Sequence, residues 1–240
     1  MTALVIGAGG TLGRACSELL VEWGWTVAAA DLKAPEITGA RGCAVDVTSL
    51  ENVQQLVSEL ESQQPITALI YAAGVNFTGP VDATDWQQFE RLIDVNLRGA
   101  FHFGAALQSA MRQTTRVFAS AFISSTAGLK GEAGGSVYCA TKFGLRGFVE
   151  SFAAEIAPLG GRANSVCPGN VDSPMLTQLA AQVAEREQKT TSEVLGEFAA
   201  ASSFNRLISP REVAQVCAWL VSPQSSGVSG QTLVVDGPAA

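Results

Sequence analysis

The chain opens on a short apolar run, Ala3-Leu4-Val5-Ile6, which leads straight into Gly7-Ala8-Gly9-Gly10-Thr11-Leu12-Gly13 and then into a helical pattern through Ala15, Leu19 and Leu20. Strand, glycine turn and helix in that order constrain the fold more than any other stretch. A merely tight strand-to-helix turn needs fewer glycines. Without Cβ atoms the backbone can approach a pyrophosphate, and a helix N-terminus offers its unpaired N–H groups to the same anion. Gly7, Gly10, Thr11, Leu12 and Gly13 are therefore expected to cradle a dinucleotide. The second run, Thr26-Val27-Ala28-Ala29-Ala30-Asp31, puts a carboxylate at a strand C-terminus, with Leu32 beside it. A carboxylate there can accept both ribose hydroxyls of NAD and repel the 2′-phosphate of NADP. Arg14 and Lys33 lie near enough in sequence to soften that discrimination. NAD is still favoured.

Further runs repeat the alternation. Cys43 to Val47 reads as a third strand, Ala68 to Tyr71 as a fourth, Val117 to Ser124 as a fifth and Gln231 to Val235 as a seventh, with a sixth before Ser165. Between them lie helical stretches. Thr48 to Gln63 opens on a Thr48/Glu51 capping box, and a second box pairs Thr84 with Gln87. A longer helix runs from about Val137 until Pro158, and Ser209-Pro210-Arg211-Glu212 supplies an N-cap, a proline at the first helical position and an acid at the third. Strands alternating with helices at these lengths predict an α/β fold, a Rossmann-type doubly wound parallel sheet of about seven strands with helices on both faces. Its ligand would sit at the strand C-termini near the reversal of strand order. No linker or repeat divides the 240 residues, so 1–240 reads as one domain. The polar, weakly periodic stretch 175–204 is its expected substrate lid.

The chemistry lies between Ser124 and Lys142. Tyr138 and Lys142 are one helical turn apart and share a face, and Ser125 stands at the end of the fifth strand. A phenol titrates near ~10, and a neighbouring ammonium in a dry site favours its phenolate. Ser125 adds a hydroxyl toward the same substrate oxygen. The set points to general acid–base chemistry on an alcohol or ketone. Alone, a Tyr-x-x-x-Lys is often just an aromatic packed beneath a lysine stem. Its weight comes from the glycine turn and Asp31 upstream.

With these residues in that order, the chain resembles the short-chain dehydrogenase/reductase family in its compact single-domain branch, over essentially its whole length. The resemblance implies that Asn96 joins Ser125, Tyr138 and Lys142 as a catalytic residue, holding a water on a proton path through Lys142. It implies that Asp46 and Val47 flank the adenine, and that Ala73-Gly74 matches the end of an Asn-Asn-Ala-Gly element. Tyr71 and Ala72 replace both asparagines, so the bonds of those amides are expected from backbone or water. It also implies that Pro168-Gly169 and Val171 run along the nicotinamide, with Ser173 in place of a threonine that bonds the carboxamide. Tyr138 and Lys142 would touch the cofactor as well. Two residues depart from the family pattern: Ile6 stands where threonine is usual, and Thr11 where the compact branch has glycine. The glycine spacing is nearer the extended branch, but 240 residues leave no room for that branch's extra substrate domain.

The implied activity is interconversion of a secondary alcohol and a ketone on a small substrate, with NAD preferred over NADP. Rival readings are an isomerase or dehydratase that uses NAD transiently, and a nicotinamide-sensing protein without turnover. The complete Asn-Ser-Tyr-Lys set counts against the last.

Composition narrows the partners. A net charge of −7 lacks the basic footprint of a nucleic-acid binder. No apolar run approaches the roughly 20 residues of a membrane span, and no signal peptide precedes the first strand, so a cytoplasmic protein is expected. Five cysteines without metal-like spacing read as reduced core residues, and the single histidine, His102, rules out a multi-histidine metal site. No metal is expected. Charged residues make up only 15%. On the Tyr138 helix the side opposite Tyr138, Lys142, Leu145, Val149, Phe152 and Ile156 carries Ala140, Phe143, Gly144, Gly147, Ser151 and Ala154, with no charge among them. Two glycines on a helix cost about 1 kcal/mol each relative to alanine unless they serve packing. A homo-oligomer, dimer or tetramer, is expected.

Overall fold

A computed structural model describes residues 1–237; the last three residues of the expected 1–240 domain lie outside it. Seven parallel strands form one sheet in the order β3-β2-β1-β4-β5-β6-β7. They are β1 (Thr2–Ile6), β2 (Thr26–Asp31), β3 (Ala40–Ala44), β4 (Ala68–Tyr71), β5 (Phe118–Ile123), β6 (Gly161–Pro168) and β7 (Thr232–Val235). The order reverses between β1 and β4, where Ile6 pairs with Tyr71. That reversal opens the crevice in which such sheets bind ligands. β1, β4 and β5 are buried along their whole length, as near-continuous apolar runs covered on both faces must be.

Of the eight α-helices among the described residues, five cover the two faces of the sheet. On one, α1 (Thr11–Glu22) packs against α8 (Pro210–Val221) over a core that includes Val5, Leu20, Ile70 and Val213. On the other, α2 (Leu50–Gln63), α4 (Gly99–Gln113) and α5 (Ser136–Ile156) enclose Leu4, Tyr71, Phe103, Phe122 and Leu145. α3 (Trp86–Ile93) continues through a π-helical turn, Asp94–Arg98, into α4. α6 (Pro174–Glu187) and α7 (Thr191–Ala200) occupy the stretch expected as a lid. It is two packed helices with a small apolar core of Ala180, Ala184 and Val194.

Several boundaries differ from the sequence reading. The third strand is Ala40–Ala44, not Cys43–Val47, because Arg41 and Gly42 pair with β2 at the sheet edge. Val45 and Val47 are buried although they lie beyond the strand, which is why they read as part of it. The helix caps are Ser49, accepting from Asn52, and Asp85, boxed with Gln88. Each stands one residue beyond Thr48 and Thr84, the expected caps. Ser165 to Pro168 belong to β6 itself. Ser209, Pro210 and Glu212 cap α8 as expected.

Candidate active site

β1 ends at Ile6, and Gly7 turns the chain with φ at 79°. A Cβ on Gly7 would sit 2.5 Å from the Ala73 backbone nitrogen, and one on Gly13 would collide with the Gly7 carbonyl oxygen. Only glycine lets α1 begin this close to the ends of β1 and β4. No side chain caps α1 and its first turn carries no acid, so its N-terminal N–H groups and their partial positive charge face the crevice. The Asp31 carboxylate is oriented at that mouth by two backbone donors, Gly9 at 2.9 Å and Leu32 at 2.7 Å. Asp46 accepts from the Thr48 backbone at 2.9 Å and from its hydroxyl at 2.7 Å.

Ser125 follows β5, and its hydroxyl accepts from the Ala127 backbone at 3.1 Å. Tyr138 and Lys142 project from the first turns of α5. The Lys142 ammonium donates to the Ile123 carbonyl at 3.0 Å and lies 5.6 Å from the centre of the Tyr138 ring. Asn96 is buried in the π-helical turn. Its amide accepts from the Val75 backbone at 2.8 Å, donates to the Val75 carbonyl at 3.0 Å and donates to the Thr141 hydroxyl at 3.1 Å. Thr141 in turn donates to the Tyr138 carbonyl at 2.7 Å. A Cβ on Gly74 would lie 3.5 Å from both Asn96 Oδ1 and Lys142 Nζ, so the two side chains converge on that residue. The Asn96 amide is thus committed to Val75 and Thr141.

The Tyr71 hydroxyl donates to the Val95 carbonyl at 2.6 Å. The bond pins the π-helical turn just ahead of Asn96. Ser173 also has local work: its hydroxyl donates to the Val171 carbonyl and accepts from Leu176 as the N-cap of α6, each at 3.2 Å.

A single cavity of about 800 Å³ gathers most of these residues. Gly7, Gly10, Thr11, Leu12, Gly13, Asp31, Leu32, Asp46 and Val47 line one end. Ala73, Gly74, Ser125, Tyr138, Pro168, Gly169, Val171 and Ser173 line the rest. Asn96 and Lys142 stand behind the wall. The cavity also takes in Thr78, Arg91, Glu132 and Leu179. Arg91 carried no sequence signal, since its place depends on how α3 docks.

Electrostatics differ from the simple picture of an ammonium lowering a phenol. Burial pushes Tyr138 up to about 12; the Ser125 hydroxyl opposes that rise, and the Glu132 charge adds to it. Burial also drives Lys142 down to about 8. Both groups are held toward their neutral forms, and desolvation is the main cause for each in the free chain. Tyr138 then keeps its proton near neutral pH.

The cradle of Gly7 and Gly13, the uncapped α1 and the oriented Asp31 fit a nicotinamide dinucleotide. The family model described as enoyl-(acyl carrier protein) reductase matches residues 7–238. The chain belongs to the short-chain dehydrogenase/reductase family. It is an oxidoreductase of that family, whose members use nicotinamide cofactors. Among short-chain dehydrogenase/reductase relatives, a diacetyl reductase [(S)-acetoin forming] of Staphylococcus aureus is 30% identical over 250 residues, covering 98% of this chain and 96% of that one. Sorbitol-6-phosphate 2-dehydrogenase from Erwinia amylovora superposes with a TM-score of 0.92 at 28% identity, covering 99% of this chain and 98% of its own. A variant actinorhodin polyketide ketoreductase with NADPH gives 0.90 at 27% identity, covering 98% and 95%. Among the described residues no His/Cys/Asp/Glu cluster could hold a metal, and no helix is long and apolar enough to cross a membrane.

Proposed function

We propose that this chain interconverts a secondary alcohol and a ketone on a small substrate, using NAD in preference to NADP. The observation that carries the reading is that Tyr138 and Ser125 share one cavity wall with the glycine turn, while Lys142 stands directly behind them. The names of the relatives, a diacetyl reductase, a polyol-phosphate dehydrogenase and a ketoreductase, support carbinol–carbonyl chemistry.

Gly7, Gly10, Thr11, Leu12 and Gly13 would hold the pyrophosphate, Asp31 and Leu32 the adenosine ribose, and Asp46 and Val47 the adenine. Ala73, Gly74, Pro168, Gly169, Val171 and Ser173 would line the nicotinamide end. When bound, the nicotinamide accepts or supplies the hydride at the carbinol carbon. The protein's share is the proton and the geometry. Tyr138 exchanges a proton with the substrate oxygen while Ser125 holds that oxygen by hydrogen bonding. A phenol pushed up to about 12 rests as the acid, the form that ketone reduction consumes. Lys142, anchored on Ile123, stabilises the phenolate and reaches the nicotinamide ribose, and Asn96 carries the water of the relay. The preference for NAD would rest on Asp31, whose carboxylate would repel a 2′-phosphate. α6 and α7 act as the substrate lid, with Arg186 donating to Thr78 at 3.2 Å across the cavity mouth.

Incubating the chain with alcohols and either cofactor, while following reduced-nicotinamide absorbance, tests the reading. Net reduction of NAD supports it. Product without net reduction indicates an isomerase or dehydratase, and cofactor binding with no product indicates a sensor.

A further inference from the structure

Tyr71 does not line the cavity, yet its hydroxyl meets the helix that carries Asn96 at the place where that helix departs from regular winding. In an α-helix each N–H bonds the carbonyl four residues back. The Gly99 N–H instead reaches five residues back, to Asp94, and so gives up the Val95 carbonyl. The Tyr71 hydroxyl donates to that same carbonyl at 2.6 Å. The two residues are matched: a Cβ on Gly99 would collide with the Tyr71 hydroxyl oxygen. The Tyr71 ring is fully buried, with Phe103 and Phe122 centred 6.1 and 5.9 Å from it, so the hydroxyl has little room to leave. Burial also pushes the phenol well up, which keeps the hydroxyl a donor.

We infer that Tyr71 is a positioning residue for the proton relay: its hydroxyl holds the wide turn at Asp94–Arg98, and that turn aims the Asn96 amide. The inference rests on the proposed function, in which Asn96 serves the relay. One extra residue in a helical turn rotates the faces on its two sides by about 100° against each other, so the winding decides where Asn96 points. As wound, the Asn96 amide accepts from the Val75 N–H at 2.8 Å and donates to the Val75 carbonyl at 3.0 Å. It also donates to the Thr141 hydroxyl at 3.1 Å, and Thr141 bonds the Tyr138 carbonyl at 2.7 Å. One string of bonds thus runs from Tyr71 through Val95 and Asn96 to the backbone of Tyr138. Without the Tyr71 hydroxyl, the Gly99 N–H is free to return to the Val95 carbonyl. The turn then tightens toward an ordinary α-helix and draws the amide off Val75. π-Helical turns are rare and cluster at functional sites, and here the side chain that keeps one open is identified.

Tyr71→Phe keeps the ring and removes only the hydroxyl. Residue-resolved hydrogen exchange on the free chain reads two amides: Val75, bonded to the Asn96 side chain, and Ala72, bonded to the Ile6 carbonyl at 2.8 Å. In the variant Val75 should exchange about tenfold faster while Ala72 stays as in the wild type. A strand that is merely loosened would speed both. Asn96→Ala should free Val75 to a similar degree, and adding Tyr71→Phe to it should change Val75 by less than about twofold, since both act through one bond. With the best alcohol and NAD, Tyr71→Phe should lower kcat about tenfold at unchanged KM and NADH affinity. Circular dichroism verifies the fold. Should Tyr71→Phe not fold, Gly99→Ala, whose methyl displaces the hydroxyl, is read in its place by the same criteria. The inference is overturned if Val75 keeps its wild-type exchange, if Ala72 speeds up with it, if the double variant is additive, or if kcat falls by less than about twofold. The exchange pattern in a chain that oxidises no alcohol would overturn the alcohol–ketone reading alone. Turnover with Val75 exchange unchanged in Tyr71→Phe would overturn the role of Tyr71 alone.

Discussion

Replacing Lys142 with methionine should make the free chain more stable near neutral pH while removing its activity. The ammonium is buried and titrates at about 8, against an ordinary 10.5. Both the folded and the unfolded chain carry the charge at about pH 7, and the folded one bears the desolvation cost. A depression of about 2.5 units corresponds to ~3 kcal/mol. Methionine fills similar volume without a charge, but it leaves the Ile123 carbonyl without its 3.0 Å donor, a loss of about 1–2 kcal/mol. The balance is about 1–2 kcal/mol in favour of the variant, or roughly 2–8 °C in Tm for a chain of this size. The sign with pH follows. Between about pH 8 and 10.5 the folded wild type releases its proton before the unfolded chain does, so wild-type stability gains on the variant as pH rises. Tyr138 and Tyr71 titrate in both proteins and largely cancel from the difference. Urea unfolding at about pH 7 and about pH 10, without cofactor and at one protein concentration, measures both ends. A variant less stable than wild type at about pH 7, or a difference that does not shrink toward about pH 10, would refute the reasoning. With cofactor present, the variant should lose both affinity and rate. A pure rate loss would contradict the dual role of Lys142.

Two further substitutions address the cofactor and the assembly. Asp31→Ala should shift the ratio of kcat/KM for NAD over NADP by about tenfold toward NADP, ~1.4 kcal/mol of lost repulsion, and a wild type that already favours NADP would contradict the reading of Asp31. Gly147→Arg should split a homo-oligomer without unfolding the chain, because Gly147 lies on the exposed outer side of α5 with nothing within 4 Å of a Cβ there and Phe143 42% exposed nearby. Light scattering that finds a wild-type monomer at micromolar concentration would sink that idea.

The fold was legible because its strongest signals are local. The glycine turn, Asp31 and the Tyr138–Lys142 spacing each pair a residue type with a strand end or helix start, and the strand order brings those ends to one crevice. Boundaries were less legible where adjacent residues compete for one job. Thr48 and Ser49 can both cap a helix, as can Thr84 and Asp85, and only the path of the incoming chain decides between them. The edge strand was misread because Arg41 and Gly42 look unlike a buried strand. Charges on α6 and α7 hid their apolar seam, although Thr190 and Glu193 do form a capping box. Least visible were bonds between distant segments. Nothing in the sequence says that Tyr71 holds Val95, that the Asn96 amide is committed to Val75, or that burial dominates at Tyr138.

The proton itself is the central claim, and Tyr138→Phe tests it most directly because the ring stays and only the hydroxyl goes. Measured with the best alcohol and NAD, kcat/KM should fall by about 10²–10⁴-fold, the range expected for a lost general acid–base, while NADH affinity and the circular dichroism spectrum stay unchanged. Activity within about tenfold of wild type would mean that Tyr138 does not move the proton, and the account of this site would fail.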